Sequence, residues 1–137
     1  ISQGNITVEN HTETAAEVRI DPGELQQVLI NLIMNAVQAM NGQGTLTLRA
    51  RDAMQDGVEG VALAVQDTGP GIKPEMIDQV FAPFYSTKQA EGTGLGLSIS
   101  QTLIQRAGGL ITARNHSQGG ACFEIWLPVS AEKELAV

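Results

Sequence analysis

The sequence predicts a single α+β domain in which helices cover one face of one sheet. Two observations lead to this class. Segments with the spacing of buried helices alternate with short runs of strand-forming residues. A chain of 137 residues with 42% hydrophobic and 17% charged residues has the length and composition of one folded domain. We expect its core at about residues 6–128 and a tail at 129–137.

Charge and cysteine content exclude several function classes. Fifteen acidic and eight basic residues give a net charge of −7, which argues against non-specific binding to nucleic acid or to an anionic membrane. No apolar run is long enough to cross a bilayer, and no signal-peptide pattern opens the chain. Cys122 has no partner for an internal disulfide. These features predict a cytoplasmic domain.

The first half of the chain contains a well-marked helix. Short strands are predicted at residues 6–9 and 17–20. Asp21 can cap a helix that starts with a proline, and Glu24 completes a capping box. This helix should run to about residue 40, where an Asn-Gly pair ends it. Its apolar positions have the spacing of one buried face: Leu25, Val28, Leu29, Leu32, Ile33, Ala36, Val37 and Met40.

The second half predicts the rest of the sheet and two more helices. A hairpin-like turn at residues 55–57 joins two strands, and a four-residue turn at 117–120 joins the last two. Residues 81–94 should be irregular. The predicted elements are strands at 45–51 and 60–66, a short helix at 74–79, a helix from 94–96 to 106, and strands at 110–115 and 121–127.

Two asparagines on the first long helix form the first candidate site. Asn31 and Asn35 are one turn apart and lie at the edge of the apolar stripe. A carboxamide oxygen there can accept a hydrogen bond or bind a hard cation. Taken alone, the helix favours two solvated polar residues over a cation site.

A glycine loop at residues 67–72 forms the second candidate site. Asp67 directly follows an apolar strand, and a carboxylate only accepts hydrogen bonds, so it can read an amino group. Gly69 and Gly71 let the backbone approach a flat ligand closely. An ordinary tight turn has the same signature, and the motif alone does not separate the two.

A second glycine cluster precedes the second long helix. Gly92, Gly94 and Gly96 place N–H groups at a helix N-terminus, where anions bind. The spacing matches neither the dinucleotide-binding fingerprint nor the P-loop. A flexible glycine hinge explains the pattern equally well. A lid over a bound anion would need both the flexibility and the anion-binding N–H groups.

Most of the aromatic residues lie just before this cluster. Phe81, Phe84 and Tyr85 lie within five residues, and we expect them to anchor a mobile segment against the domain. Lys88 follows two hydroxyl residues and can reach a phosphate as a point charge. A surface lysine in a loop is the ordinary alternative.

Five motifs in order resemble the boxes of sensor histidine kinases. QQVLINLIMNAVQAM, DTGPGI, FAPFYSTK, GTGLGLSIS and GGACFEIWLP resemble the N, G1, F, G2 and G3 boxes, and the resemblance spans about residues 6–128. It implies the Bergerat fold of gyrase B, MutL and the large heat-shock chaperones. That fold is a two-layer α/β sandwich whose mixed, mostly antiparallel sheet has about three helices on one face. The short lid is most similar to the nitrogen-regulation and dicarboxylate-sensor type.

The resemblance also implies site residues. Asn35 would bind Mg²⁺ that bridges the ATP phosphates, and Asn31 would support it. Asp67 would bond the adenine amino group, Gly71 would let the base lie against the backbone, and Lys88 would approach the γ-phosphate. Asn35 and Lys88 are the implied catalytic residues. The implied ATP-binding set is Asn31, Asn35, Asp67, Gly69, Gly71, Ile72, Phe84, Ser86, Thr87, Lys88, Gly92, Thr93, Gly94, Leu95, Gly96 and Leu97.

The resemblance implies partners as well. These kinases phosphorylate a histidine on a separate dimerisation helix and pass the phosphoryl group to a response regulator. His11 and His116 do not resemble that acceptor and are predicted to be surface residues. We therefore expect an isolated, monomeric catalytic domain that binds Mg-ATP alone but needs the dimerisation helices for transfer.

Two other functions are open. A nucleotide-sensing regulatory module without transfer activity would keep the same ATP site. A MutL- or gyrase-type ATPase would share the fold, although the FAPFYSTK motif argues against it. The sequence also departs from the G3 box, because Ala121-Cys122 stands where family members often carry a hydroxyl residue. A hydroxyl-and-water link from this strand to the adenine is therefore in doubt, and Cys122 is predicted to be a small core residue.

Overall fold

Five strands form one mixed sheet, in the order β1-β2-β3-β5-β4. A computed structural model describes residues 5–14, 16–82 and 96–129. Strands β1 and β2 are parallel, whereas the other neighbours are antiparallel, which confirms the predicted mixed sheet. The strands are β1 (Asn5–Glu13), β2 (Gln43–Gln55), β3 (Val58–Gln66), β4 (Leu110–Asn115) and β5 (Ala121–Pro128).

Helix α1 (Pro22–Ala39) begins and ends as its sequence predicts. Asp21 has an extended backbone, and its Oδ2 accepts a hydrogen bond of 3.0 Å from the Glu24 N–H, so it caps the helix. After Met40, two residues with positive φ (Asn41 at 54° and Gly42 at 77°) turn the chain out of the helix. The side chains on its inner face, Val28, Leu32 and Ala36, are buried.

Helix α2 (Gly96–Arg106) packs beside α1 and β4, and a 3₁₀ helix spans Pro74–Gln79. The core lies between these helices and the sheet. Phe81 meets Phe123 of β5 edge to face, with ring centroids 6.1 Å apart, which confirms the predicted anchoring role of this one aromatic residue. Buried sheet residues in the core include Leu46, Val65, Phe123, Ile125 and Leu127.

The other sheet face carries polar contacts. There the Arg51 guanidinium lies 3.1 Å from a Glu124 carboxylate oxygen, and the Trp126 ring N–H donates to the Ala53 carbonyl over 2.8 Å. Helices therefore cover one face, as predicted. No helix within the described ranges is both long and apolar enough to cross a membrane.

The predicted strand at residues 17–20 is wrong. Val18 makes only one isolated bridge, to Val129, beside a 3.1 Å bond from the Arg19 N–H to the Pro128 carbonyl. Val18 and Ile20 pack against the core, which explains the apolar alternation, but Asp21 caps α1 immediately afterwards and leaves no length for a ladder.

Four strands are longer than predicted, β5 by the single residue Pro128. Strand β1 continues to Glu13 through polar residues, because its partner β2 supplies the hydrogen bonds that hydropathy does not signal. Strands β2 and β3 extend until they meet at Asp56-Gly57. Both turn residues have positive φ, 51° and 82°, as a tight two-residue hairpin requires, so the predicted turn is confirmed.

Candidate functional site

Asp67 is fixed at the end of β3 by backbone groups of β5. The residue is 2% exposed. Its Oδ1 accepts from the Gly69 N–H over 2.8 Å and from the Ala121 N–H over 3.1 Å. The Asp67 N–H in turn donates to the Ala121 carbonyl over 2.9 Å. No hydrogen bond from a described residue reaches Oδ2, which leaves that oxygen as an acceptor for a ligand.

Glycines around Asp67 allow backbone segments to touch. A Cβ on Gly69 would lie 2.9 Å from the Ala39 carbonyl oxygen, so the glycine loop meets the end of α1 there. A Cβ on Gly120 would collide with the Asp67 carbonyl. At Gly69, the close approach that the sequence predicts for a flat ligand is an approach of the chain to itself, and Gly120 provides a second such contact.

Gly71 makes room for a side chain that sequence reasoning missed. Its φ is +84°, and a Cβ there would lie 2.8 Å from Oδ1 of Asn115. The Asn115 carboxamide pairs with the backbone of Ile72: its Oδ1 accepts from the N–H and its Nδ2 donates to the carbonyl, each over 2.7 Å. These residues are 43 positions apart, so no local pattern could identify the pair. Ile72 itself packs against the core.

The end of α1 touches the glycine loop through a methionine. The sulfur of Met40 accepts from the Thr68 N–H over 3.4 Å and from the Thr68 hydroxyl over 3.5 Å. The same hydroxyl accepts from the Thr45 N–H over 3.1 Å. The helix that carries Asn31 and Asn35 is thus joined directly to the loop that carries Asp67.

Asn31 links α1 to the first turn of α2. Its Nδ2 donates to the Gly96 carbonyl over 3.2 Å and to the Ser100 hydroxyl over 3.1 Å, and its Oδ1 accepts from the Gln27 amide over 3.1 Å. Ser100 is completely buried. The carboxamide of Asn31 is therefore engaged in helix packing, which the sequence did not predict.

Asn35 lies one turn further along α1 and is half-buried. Its side chain makes no hydrogen bond with another described residue. Its carboxamide oxygen can therefore serve a hard cation. No group of three or more His, Cys, Asp or Glu side chains suited to a metal occurs within the described ranges. A cation at Asn35 would take most of its remaining ligands from the bound molecule or from water.

The other predicted ATP-binding residues divide into two sets. Gly96 and Leu97 begin α2, where Leu97 packs against the core. A Cβ on Gly96 would lie 3.7 Å from the Asn31 side chain, so this glycine faces the packed helix pair. The predicted ATP-binding residues that lie outside the described residues are Phe84, Ser86, Thr87, Lys88, Gly92, Thr93, Gly94 and Leu95. Tyr85, predicted as an aromatic anchor, lies outside them too.

Cysteine and histidine residues contribute no further site chemistry. Cys122 is buried in β5, and burial raises the pKa of its thiol, which keeps it protonated and unreactive. The His11 side chain is 44% exposed, as expected of a surface histidine, and its Nε2 lies 3.8 Å from Oε1 of Glu9. His116 is half-buried in the last turn, where its Nδ1 accepts from the Gln118 N–H over 3.1 Å.

Comparison with known families agrees with this geometry. The sequence profile described as "Histidine kinase-, DNA gyrase B-, and HSP90-like ATPase" matches residues 20–131. The chain belongs to this family. The resemblance to histidine kinases is confirmed, because curated relatives of this ATPase domain are sensor histidine kinases.

Sensor histidine kinases named ZraS are among these relatives. The Salmonella typhi sensor histidine kinase ZraS is 42% identical over 122 residues, which cover 89% of this chain and 25% of that protein. The Escherichia coli K12 kinase of the same name is 37% identical over 122 residues, again covering 89% and 25%. The chain thus spans about a quarter of the length of these curated relatives.

Solved structures place the fold in the same group. The catalytic domain of histidine kinase ThkA, in a nucleotide-free form, has a TM-score of 0.79 and 34% identity, covering 93% of this chain and 82% of that one. The mycobacterial sensor histidine kinase MprB has a TM-score of 0.80 and 26% identity, covering 90% and 84%. Full-length ShkA in complex with AMPPNP has a TM-score of 0.75 and 30% identity, covering 91% and 26%. The two-layer α/β sandwich of histidine kinase catalytic domains is therefore the fold of this chain.

Proposed function

We propose that this ATPase-family domain binds Mg-ATP between α1 and the glycine loop and donates the γ-phosphoryl group to a histidine on a separate dimerisation helix. The product would then serve a response regulator in two-component signalling. The observation that carries the proposal is Asp67, a buried carboxylate with one oxygen held by two backbone N–H groups. Such a group is built to read an amino group on a flat ligand.

The base end of this site would select adenine. Oδ2 of Asp67 would accept a hydrogen bond from the adenine amino group, while the bonds to Oδ1 keep the carboxylate from rotating. A carboxylate has no hydrogen-bond donor, so it repels a base that carries a carbonyl oxygen at that position. Ala121 has no hydroxyl, and its part in this site is to hold Asp67 through its backbone.

The phosphate end would lie toward Asn35 and the start of α2. The residues present fit Mg²⁺, since the Asn35 amide oxygen is a hard ligand without another described partner. Bound there, Mg²⁺ would offset the negative charge of the phosphates. The chain itself carries a net charge of −7, which does not favour phosphate binding. The helix dipole of α2 and, from its place in the sequence, Lys88 would add positive potential.

Transfer in this proposal needs positioning more than covalent chemistry by the domain. A nitrogen of the acceptor imidazole forms a bond to the γ-phosphorus while the bond from that phosphorus to the ADP oxygen breaks, and ADP leaves. Asn35 and Lys88 are the residues we propose to act on the phosphates. The acceptor histidine would come from dimerisation helices of the kind that sensor kinases carry, and this domain alone would be monomeric and face the cytoplasm.

An isotope-transfer experiment tests this function. The chain, joined to the dimerisation helices of its kinase, is incubated with γ-labelled ATP. We expect acid-labile, base-stable label on those helices and none with Asn35→Ala. Calorimetry on the chain alone should give Mg²⁺-dependent ATP binding that Asn35→Ala abolishes while the circular dichroism spectrum is retained. Tight ATP binding without label would instead favour a nucleotide-sensing module, and unaltered Mg-ATP binding by the variant would exclude Asn35 as the ligand.

A further inference from the structure

One β-hairpin holds both ends of the glycine loop. We call it the closing hairpin: strands β4 and β5 and the turn between them. Its Ala121 exchanges two hydrogen bonds with Asp67 at the start of the loop. Its Asn115 exchanges two with Ile72 at the end of the loop. Asn115 and Ala121 are direct partners across the hairpin, so a single cross-strand pair spans the loop.

The Asn115 carboxamide acts here as a substitute for a neighbouring strand. It offers one donor and one acceptor, and both bond the backbone of one residue, Ile72, over 2.7 Å. Gly71 is part of this arrangement, because a side chain at that position would meet Oδ1 of Asn115. No isosteric residue supplies both groups: leucine has neither, and aspartate lacks the donor.

We propose that Asn115 is a positioning residue for base recognition, an inference that rests on the proposed function. The glycine loop contains Gly69 and Gly71, so its free chain samples many conformations. Fixing Ile72 as well as Asp67 limits the loop to the shape in which Oδ2 of Asp67 faces the base. Asn115 touches no nucleotide in this proposal and acts through Asp67.

The expected effect is modest and selective. Asn115 is exposed, so its hydrogen bonds compete with water and each contributes little net free energy. Loss of the pair should weaken ATP binding by roughly fivefold. Inosine triphosphate, which has a carbonyl oxygen in place of the amino group, gains nothing from a correctly placed Asp67. Its affinity should change much less, so the preference for ATP over inosine triphosphate should fall.

The test compares two variants with a control from the same hairpin. Asn115→Leu removes both hydrogen bonds, and Asn115→Asp keeps the acceptor but sets a carboxylate oxygen against the Ile72 carbonyl. Gln118→Leu alters an exposed residue of the turn and is the control. Calorimetry gives Kd for ATP and for inosine triphosphate with each protein. Amide hydrogen exchange at Ile72, in the nucleotide-free chain, reports on the hydrogen bond itself.

We expect a reduced ATP preference in both Asn115 variants and faster exchange at Ile72 in Asn115→Leu, which loses the acceptor of that N–H, with Gln118→Leu behaving like the parent. Equal weakening of both triphosphates, or an unchanged preference, would overturn the inference, since a merely structural role affects both ligands alike. Unchanged exchange at Ile72 in Asn115→Leu would do the same. A parent chain that binds neither triphosphate would overturn the proposed function instead, and the Ile72 amide would still decide whether Asn115 holds the loop.

Discussion

The two ends of the candidate site are built differently. At the base end, backbone groups of β5 hold Asp67, and a side chain of β4 holds Ile72. At the phosphate end, hydrogen bonds from one side chain, Asn31, to Gly96 and Ser100 join the two helices. Backbone bonds to a sheet fix a carboxylate before any ligand arrives. Helices joined by a side chain can adjust to the ligand, which suits an end of the site where phosphates and a cation have to be accommodated together.

The contact between Gly120 and Asp67 provides the strongest test of the rigid base end. Gly120→Ala would push a Cβ into the Asp67 carbonyl at a residue with φ of +90°, so we expect a loss of about 3 kcal/mol or more in the free energy of unfolding. Urea denaturation measures it. Gly119→Ala is the control, because its φ is +103° but nothing lies within 4 Å, and it should cost about 1 kcal/mol. Equal losses would mean that backbone conformation, and not the contact with Asp67, makes the site rigid.

The carboxylate of Asp67 gives the next largest effect, now on binding. Asp67→Asn keeps an oxygen for Gly69 and Ala121 but turns an amide N–H₂ toward the base amino group. We expect the affinities for ATP and ADP to fall alike, by roughly 50-fold, since a hydrogen bond to a charged group contributes about 1.5–3 kcal/mol. Calorimetry with both nucleotides tests this, with the exposed Asp78→Asn as control. A loss confined to ATP would place Asp67 near the phosphates and reverse the two ends of the site.

The sequence predicts most of the fold because its signals are local. The Asp21 cap, the apolar spacing of α1 and the Asp56-Gly57 turn each specify nearby backbone, and the structure agrees with all three. The strand at residues 17–20 was mispredicted because core packing produces the same apolar alternation as a ladder.

The site was predictable only in part. Asp67 could be singled out because it follows an apolar strand and precedes a glycine-rich turn. The partners that orient it could not, since Ala121 lies 54 residues away in the chain. Asn31 is on the predicted helix flank, but its partner Ser100 is 69 residues distant, so no local pattern indicates that its amide serves helix packing. Contacts at such separations depend on the order of strands in the sheet and on the packing of helices, and neither is encoded locally.

The smallest expected effect concerns the link between the helices. Ser100→Ala leaves one N–H of the Asn31 amide without its acceptor at a buried position, which should cost about 1 kcal/mol of stability. Because Asn31 also holds the Gly96 carbonyl, the start of α2 should shift, and the affinity for ATP should fall severalfold. Adenosine, which lacks phosphates, should bind as before. Thr102→Ala on the same helix is the control, since its hydroxyl bonds only the Ser98 carbonyl of that helix among the described contacts. If adenosine weakened as much as ATP, the two ends of the site would be mechanically coupled, and the Met40 sulfur that bonds Thr68 would be the contact through which α1 transmits the change.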